Sequence, residues 1–587
     1  MSPSTSAARR CSVIDAAMSD APTVTSGSRL RRIALPFNPV GLPVLAWLVL
    51  IVLLPNALLI GTSFLKTANG FMVFEPSLVN YLRIWKSSGF WTLLGRTLTL
   101  SFVACAIGAL VAYPLAFYVG RVVRRNRALL VVLIVLPLWI SLLMRVFAWR
   151  MILGQSGILN SFLVSSGILD APSPAFLYTP TSVLLVFAYI AIPFVFIAVL
   201  GAFEKIPQAL LEASEDSGAT ALQTFRHVIW PLTRRSLAIG FSLAFLVTVG
   251  DYVTPAMIGG IDGTTIGMVI ASQFGMANNW PYGSAIAVVL ILSVGLILGV
   301  VFALCPSRGI LLGDEGVKTV RPPAGPAGRF GRLLGAAGFT GTVLFLYAPL
   351  VIIMLFSFGA STLQTFPIPE WSLRWYGELA GNASLIAAAQ RSLVVAFLVV
   401  ILSTLVGTAF ALILHYGRIA GSRACEIALA LPLATPGIVL GVVIVLGTEL
   451  FAIPSGIAKT LIGQASFVMP VTLMLVLARL RRLDPSLMEA SLDLGATRLQ
   501  SFVHVLLPMI SGAMVGGALL GLTLSADEVM VTLFLTGSSP TLPIWVFNQM
   551  RFGFTPSVNA VFTLLAVICL LAVLLSNWIA GRRKAAA

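Results

Sequence analysis

Residues 212–231 read EASEDSGATALQTFRHVIWP, and residues 489–508 read EASLDLGATRLQSFVHVLLP. Thirteen of the twenty positions are identical at a constant offset of 277, without a gap. The matches include Glu, Asp, Gly, Gln, His and Pro, so shared apolar composition does not account for them, and a repeat is the first feature to explain. Within each copy the spacing predicts two short helices. One opens at the Glu and breaks at Gly218 or Gly495, where Gly supplies the positive φ of a sharp reversal. The next runs to Pro231 or Pro508, a residue tolerated in the first turn of a following helix.

The sequence around the two copies is far too apolar for a soluble protein. Of 587 residues, 58% are hydrophobic and 10% are charged, with a mean hydropathy of +0.99. So few charges cannot cover a water-facing surface, and such a chain takes lipid as its solvent. Apolar runs long enough to span occur near 43–64, 93–119, 128–152, 182–203, 233–257 and 284–305. A second set follows near 335–357, 387–415, 425–451, 462–479, 509–535 and 558–580. Each set has six, and each copy of the repeat lies between the fourth and fifth runs of its set. The first run lacks a small-residue cleavage site and reads as a retained helix.

The expected division is a disordered cytoplasmic tail at 1–36, a first half at 37–305, a cytoplasmic linker at 306–332 and a second half at 333–587. The net charge of +16 sits in short clusters between apolar runs. Arg121, Arg124, Arg125 and Arg127 lie between runs two and three, and Lys205, Arg226, Arg234 and Arg235 between four and five. Arg418, Arg423, Arg479, Arg481, Arg482 and Arg498 hold the matching places in the second half. The loops near 153–181 and 258–283 carry no Lys or Arg. This is the positive-inside pattern, which places both termini in the cytoplasm of a multi-pass inner-membrane protein and argues against nucleic acid as a partner. The five cysteines and three histidines show no metal-ligand spacing.

The Glu-Ala-Ser opening, the Gly six residues after the Glu, and the apolar pair closed by Pro thirteen residues after the Gly resemble the "EAA" coupling loop of ABC importer permeases. That resemblance implies an all-α membrane protein with the type I ABC importer fold, built as two parallel repeats of six transmembrane helices. It implies that Glu212, Ala213, Ser214, Asp216 and Gly218, with Glu489, Ala490, Ser491, Asp493 and Gly495, dock on an ATP-hydrolysing subunit. Ser214 and Ser491 stand where the family pattern has a second Ala.

Further stretches are similar to the two permease subunits of spermidine/putrescine importers, here in one chain. Leu136-Pro-Leu-Trp-Ile-Ser141, Arg145-Val-Phe-Ala-Trp149 and Gly250-Asp-Tyr-Val-Thr-Pro255 look like the first subunit. Trp371-Ser-Leu-Arg-Trp-Tyr376, Leu524-Ser-Ala-Asp-Glu528 and Thr541-Leu-Pro543 look like the second. The implied partners are two copies of a cytoplasmic ABC ATPase, a periplasmic or extracellular solute-binding protein, the bilayer and a small-molecule substrate. The chain holds no G-x-x-x-x-G-K-(S/T) loop, so ATP and Mg would be used by the partner, and no cofactor is expected on this chain.

Charged residues inside apolar runs are functional candidates. Asp251 and Glu528 are related by the offset of 277, with Asp527 and Tyr252 beside them. Carboxylates meeting near a pseudo-two-fold axis suit a cationic amine, and the alternative is that they cap a helix break. Glu449 is a further acidic candidate, and Trp149, Trp139 and Trp280 offer aromatic faces or interfacial anchors. Import of a polyamine is the leading expectation. The alternatives are ferric iron or 2-aminoethylphosphonate import on the same architecture, or an ion-coupled secondary transporter, which would need no coupling loops.

Overall fold

In the computed structural model, the described residues are 39–68, 71–123, 126–305, 329–362, 365–417, 419, 421–484, 486–552 and 556–568. The expected tail, most of the linker and the far end of the last run lie outside them. Ten helices among these residues are long and apolar enough to cross a membrane. In the first half they are Leu42–Ser63, Ser88–Val122, Leu142–Ser165, Pro180–Lys205, Ala221–Val249 and Trp280–Leu304. In the second they are Gly331–Phe356, Ala383–Tyr416, Ile457–Leu480 and Arg498–Ala526. The last run begins at Ser557 and is described to Ile568. A β-hairpin, Lys66–Ala68 with Phe71–Val73, follows the first span.

The third run of each half is not one straight helix. In the first half Arg127–Leu138 stops and the chain restarts at Leu142. In the second, Ser422–Ala434 and Gly437–Glu449 meet at 110°. Pro137, Pro432 and Pro436 remove helix donors at these points, and apolar composition alone does not reveal the break.

The fifth runs also end earlier than expected, at Val249 and Ala526 instead of 257 and 535, with a short helix or turn beyond. At the N-terminal end they begin earlier. The second helix of each repeat does not stop at the proline. Ala221–Val249 and Arg498–Ala526 each run 29 residues as one helix. Phe225–Ile229 and Phe502–Leu506 widen into π turns just before Pro231 and Pro508. A π turn carries its bonds to i+5, which leaves room for a ring that would clash in an α-helix.

The halves repeat each other in detail. Ser63 Oγ bonds Tyr81 Oη at 2.7 Å, as Ser357 Oγ bonds Tyr376 Oη at 2.7 Å. Arg127 pairs with Glu204 at 2.6 Å; at the place of Glu204 the second half has Arg481, which pairs at 2.7 Å with Glu426, four residues beyond the equivalent of Arg127. The first span of each half packs in part in the other half, although Leu54–Ser63 also meets its own half, where Thr62 Oγ1 donates to Ser284 Oγ at 2.9 Å. Val44, Leu48 and Val52 lie in a cluster with Phe410, Leu429, Leu473 and Leu506. Phe339, Leu346 and Ile353 join the core of the first half, where Tyr189 Oη donates to Leu346 O at 2.9 Å.

Because this exchanged packing holds the halves together, the covalent link is expendable. Two polypeptides divided between residues 305 and 333 and expressed together should co-purify as one complex. Either expressed alone should be degraded, as read by immunoblot of membranes.

Candidate functional site

Two places in the fold carry the residues singled out above. The first is the pair of repeat loops at the N-terminal ends of the fifth spans. Gln208–Asp216 and Ser486–Asp493 are short helices with no buried residue. Glu212, Ala213, Asp216, Glu489, Ala490 and Asp493 are exposed. Each helix closes the same way: Gly218 N–H donates to Glu215 O and Gly495 N–H to Leu492 O, both at 2.9 Å. Gly218 sits at φ +76° and Gly495 at +86°, with open space where a Cβ would stand. The glycines are required by the backbone angle, which costs other residues roughly 1–2 kcal/mol.

Thr220 with Gln223, and Thr497 with Gln500, form matching capping boxes that start the next helix. The serines in place of the second Ala are not silent. Ser214 Oγ bonds Thr224 Oγ1 at 2.8 Å, and Ser491 Oγ bonds Ser501 Oγ at 2.9 Å. These hydroxyl pairs tie the two arms of each loop together. Leu222, Leu494 and Leu499 lie exposed on the same loops, an uncovered apolar surface at both.

The second place is the seam between the halves at the other end of the fifth spans. Asp251 is 1% exposed. Its Oδ1 accepts from Val253 N at 2.8 Å and Thr254 N at 3.0 Å, and its Oδ2 accepts from Thr254 Oγ1. Glu528 does the same work, accepting from Val531 N at 2.8 Å. Both carboxylates therefore cap the helix break that follows them.

Asp527 acts across the seam. Its Oδ2 accepts from Leu142 N at 2.8 Å, the first residue of Leu142–Leu153 in the other half. A carboxylate at a helix N-terminus is favoured by the helix dipole. The counterpart of Asp527 is Gly250, whose missing side chain admits Pro436 and Gly437; a Cβ there would lie 2.8 Å from Gly437 N. Each fifth-span end thus abuts the broken third span of the opposite half.

Arg145, 5% exposed, lies one turn into Leu142–Leu153 within electrostatic reach of both Asp251 and Asp527. Its Nε donates to Ser141 O. Trp149 stands one turn further, its ring 5.9 Å from Tyr189 and 5.2 Å from Phe345. Tyr252 meets Phe547 of the second half edge-on at 6.1 Å. Asp251, Tyr252, Asp527, Glu528, Arg145 and Trp149 are thus gathered at one seam. The side chain of Trp139 lies outside the described residues, and Trp280 packs on Phe274.

Glu449 is not among them. It ends Gly437–Glu449, half exposed, and its Oε1 accepts from Lys459 Nζ at 2.6 Å. Lys459 itself is 1% exposed and was not anticipated, although a lysine beside an apolar run is a signal in itself. Also unanticipated is Gln464, buried between Thr532 and Ser525 with a bond to each. A cleft of about 660 Å³ opens elsewhere in the second half, framed by Arg423, Glu426 and Arg481.

Comparison with known proteins matches both halves. The family described as binding-protein-dependent transport system inner membrane component matches residues 107–308 and 407–584. The chain is 34% identical over 260 residues to the spermidine/putrescine transport system permease protein PotB of Haemophilus influenzae, covering 44% of this chain and 90% of that protein. It is 35% identical over 236 residues to the putrescine transport system permease protein PotI of Escherichia coli, covering 39% and 82%. Among solved structures, a bacterial ABC transporter involved in import of the acidic polysaccharide alginate aligns at 18% identity and a TM-score of 0.38, covering 45% of this chain and 92% of that one.

The cross-seam bond sets a stability order. Asp527→Leu leaves the Leu142 N–H without its acceptor and should destabilise the purified chain by about 1–3 kcal/mol. Asp527→Asn keeps an acceptor oxygen and should lose less. Thermal unfolding in detergent reads the difference, and equal losses would argue that the bond carries no weight.

Proposed function

The chain belongs to the binding-protein-dependent transport system inner membrane components, and we propose from that membership that it supplies both permease halves of an ATP-driven polyamine importer. The observation that carries the reading is the pair of exposed loops within a single polypeptide, matched in sequence, helix closure and capping box. Two matched loops fit two copies of one cytoplasmic ATPase, which binds ATP and Mg and performs the hydrolysis. A solute-binding protein on the opposite face delivers putrescine, spermidine or a similar small cation. In this reading both termini are cytoplasmic.

The mechanism follows from the continuity of the fifth spans. Each 29-residue helix is about 43 Å long at about 1.5 Å per residue. It leads from the coupling loop to the seam carboxylates without a joint. Closure of the two ATPases draws both loops together, and the helices carry that displacement to Gly250-Asp251 and Asp527-Glu528. There it separates the fifth-span ends from the broken third spans they abut. The outer side opens, and hydrolysis allows it to reseal.

When the seam parts, Asp251, Asp527 and Glu528 offer negative charge that offsets the hydration an ammonium group loses. Trp149 and Tyr252 offer ring faces to the same cation. Glu449, ion-paired with Lys459, stands outside this group. Relatives named for putrescine and spermidine support this choice of substrate.

The test is uptake by membranes holding this chain with its ATPase and binding protein. Labelled putrescine and spermidine are offered against choline, 2-aminoethylphosphonate and ferric iron. ATP-dependent polyamine uptake is expected, falling about tenfold or more in Asp251→Asn/Glu528→Gln, a loss of roughly 1.4 kcal/mol or more. The amide variants keep the capping oxygens, so the fold should survive. Uptake of another solute with polyamines ignored would overturn the substrate and leave the architecture.

Gly218→Leu/Gly495→Leu should abolish uptake, because the loops cannot hold their reversal without strain. Transport that persists in this variant would remove the ATPase-coupled reading.

A further inference from the structure

The internal repeat does not keep a single spacing. From Arg96 and Arg391, through Leu136-Pro-Leu138 and Leu431-Pro-Leu433, to the helix starts at Leu142 and Gly437, equivalent residues are 295 apart. From the helix starts at Pro180 and Ile457 onward they are 277 apart. The first half therefore carries 18 additional residues in one place. They lie between Leu142–Leu153 and Pro180–Lys205, where the second half turns back through Leu450–Gly456. Pro180–Lys205 leads to a coupling loop at its other end, so the insertion lies on the face away from both coupling loops.

The added segment is a built element. Ile158–Ser165 forms a helix. Asn160, with no exposed surface, closes the loop on itself: Nδ2 donates to Gly154 O and Ser173 O, each at 3.0 Å, and Oδ1 accepts from Ser173 N at 2.8 Å. From the next position, Ser161 Oγ donates to Phe366 O at 3.1 Å, an outer loop of the second half. The segment is thus a strap laid across the seam. Among its exposed residues two are large and apolar, Phe162 at 62% and Ile168 at 67%, with Ser165, Ser166 and Asp170 exposed beside them. Its only charge is Asp170.

A surface with pseudo-two-fold symmetry presents similar ground to a single partner in two opposed orientations. Selecting one of them needs an element that only one half possesses. We infer that the strap is a docking surface for the solute-binding protein and fixes which end of that protein lies over which half. Exposed Phe and Ile on a rigid, nearly uncharged base are suited to anchoring such a contact. The bond to Phe366 holds the strap over the seam, away from the lipid rim. The absence of Lys and Arg leaves it nothing with which to attract anionic headgroups. The inference rests on the importer reading above, since it requires a binding protein.

The experiment uses the complete importer in lipid nanodiscs, with benzoylphenylalanine in place of Phe162 and the purified, substrate-loaded binding protein added. Photocrosslinks to one end of that protein are expected. In parallel, Phe162→Asp/Ile168→Asp should raise the binding-protein concentration for half-maximal ATPase stimulation about tenfold or more, with basal ATPase activity unchanged. Asn160→Ala, which unpins the strap but keeps both anchors, should act in the same direction. Crosslinks to lipid alone, equal crosslinks to both ends, or an unchanged half-maximal concentration would overturn the inference. If the unaltered importer ignores its binding protein altogether, the importer reading itself fails and takes the strap's role with it.

Discussion

Within a bilayer no water is present to satisfy an open peptide group, so a helix can break only where protein supplies the missing partners. This constraint organises the seam. The two third spans and the two fifth spans all break there, and each break lies against another. Asp251 and Glu528 serve the amides exposed by their own breaks, and Asp527 serves one in the opposite half. The carboxylates are thus held at the junction by backbone amides. Asp251 is engaged through both oxygens, whereas Glu528 accepts from Val531 N through Oε1.

Rigidity is distributed to match. The long fifth helices have no hinge between loop and seam, and the π turns absorb prolines that would otherwise have introduced one. At the loops, hydroxyl pairs and capping boxes tie both arms together. Compliance is left to the breaks, where the halves meet through few polar bonds and close backbone contact.

The sequence is most transparent where chemistry is local. In the repeat loops the reversal at Gly218 and Gly495 was legible, since Gly acts on its immediate neighbours, but the first helices open before the Glu, at Gln208 and Ser486, and the second run on through Pro231 and Pro508. The number and place of the apolar runs followed from composition. The broken third spans did not, because Leu-Pro-Leu within an apolar run is compatible with a kinked helix as well as an interrupted one. Asp527 could be flagged as a charge, but its acceptor role toward Leu142 joins residues 385 positions apart and leaves no local trace. Ser214 and Ser491 looked like small replacements for Ala, and only their partners ten residues on reveal a bond. The added strap was hidden for a different reason: a repeat compared only at its most similar stretch shows one offset, and the change of offset lies upstream.

The exchange of first spans also bears on how the protein is made. Val44, Leu48 and Val52 pack against Phe410 and residues beyond it, which the ribosome does not reach until some 360 residues later. At about 5–20 residues per second the first helix waits in the bilayer for on the order of tens of seconds before its partners exist. Its apolar surface makes that wait tolerable, since lipid solvates leucine and valine as well as protein does. Fusion of the halves keeps the waiting helix tethered to the chain that will enclose it, so assembly needs no search through the membrane.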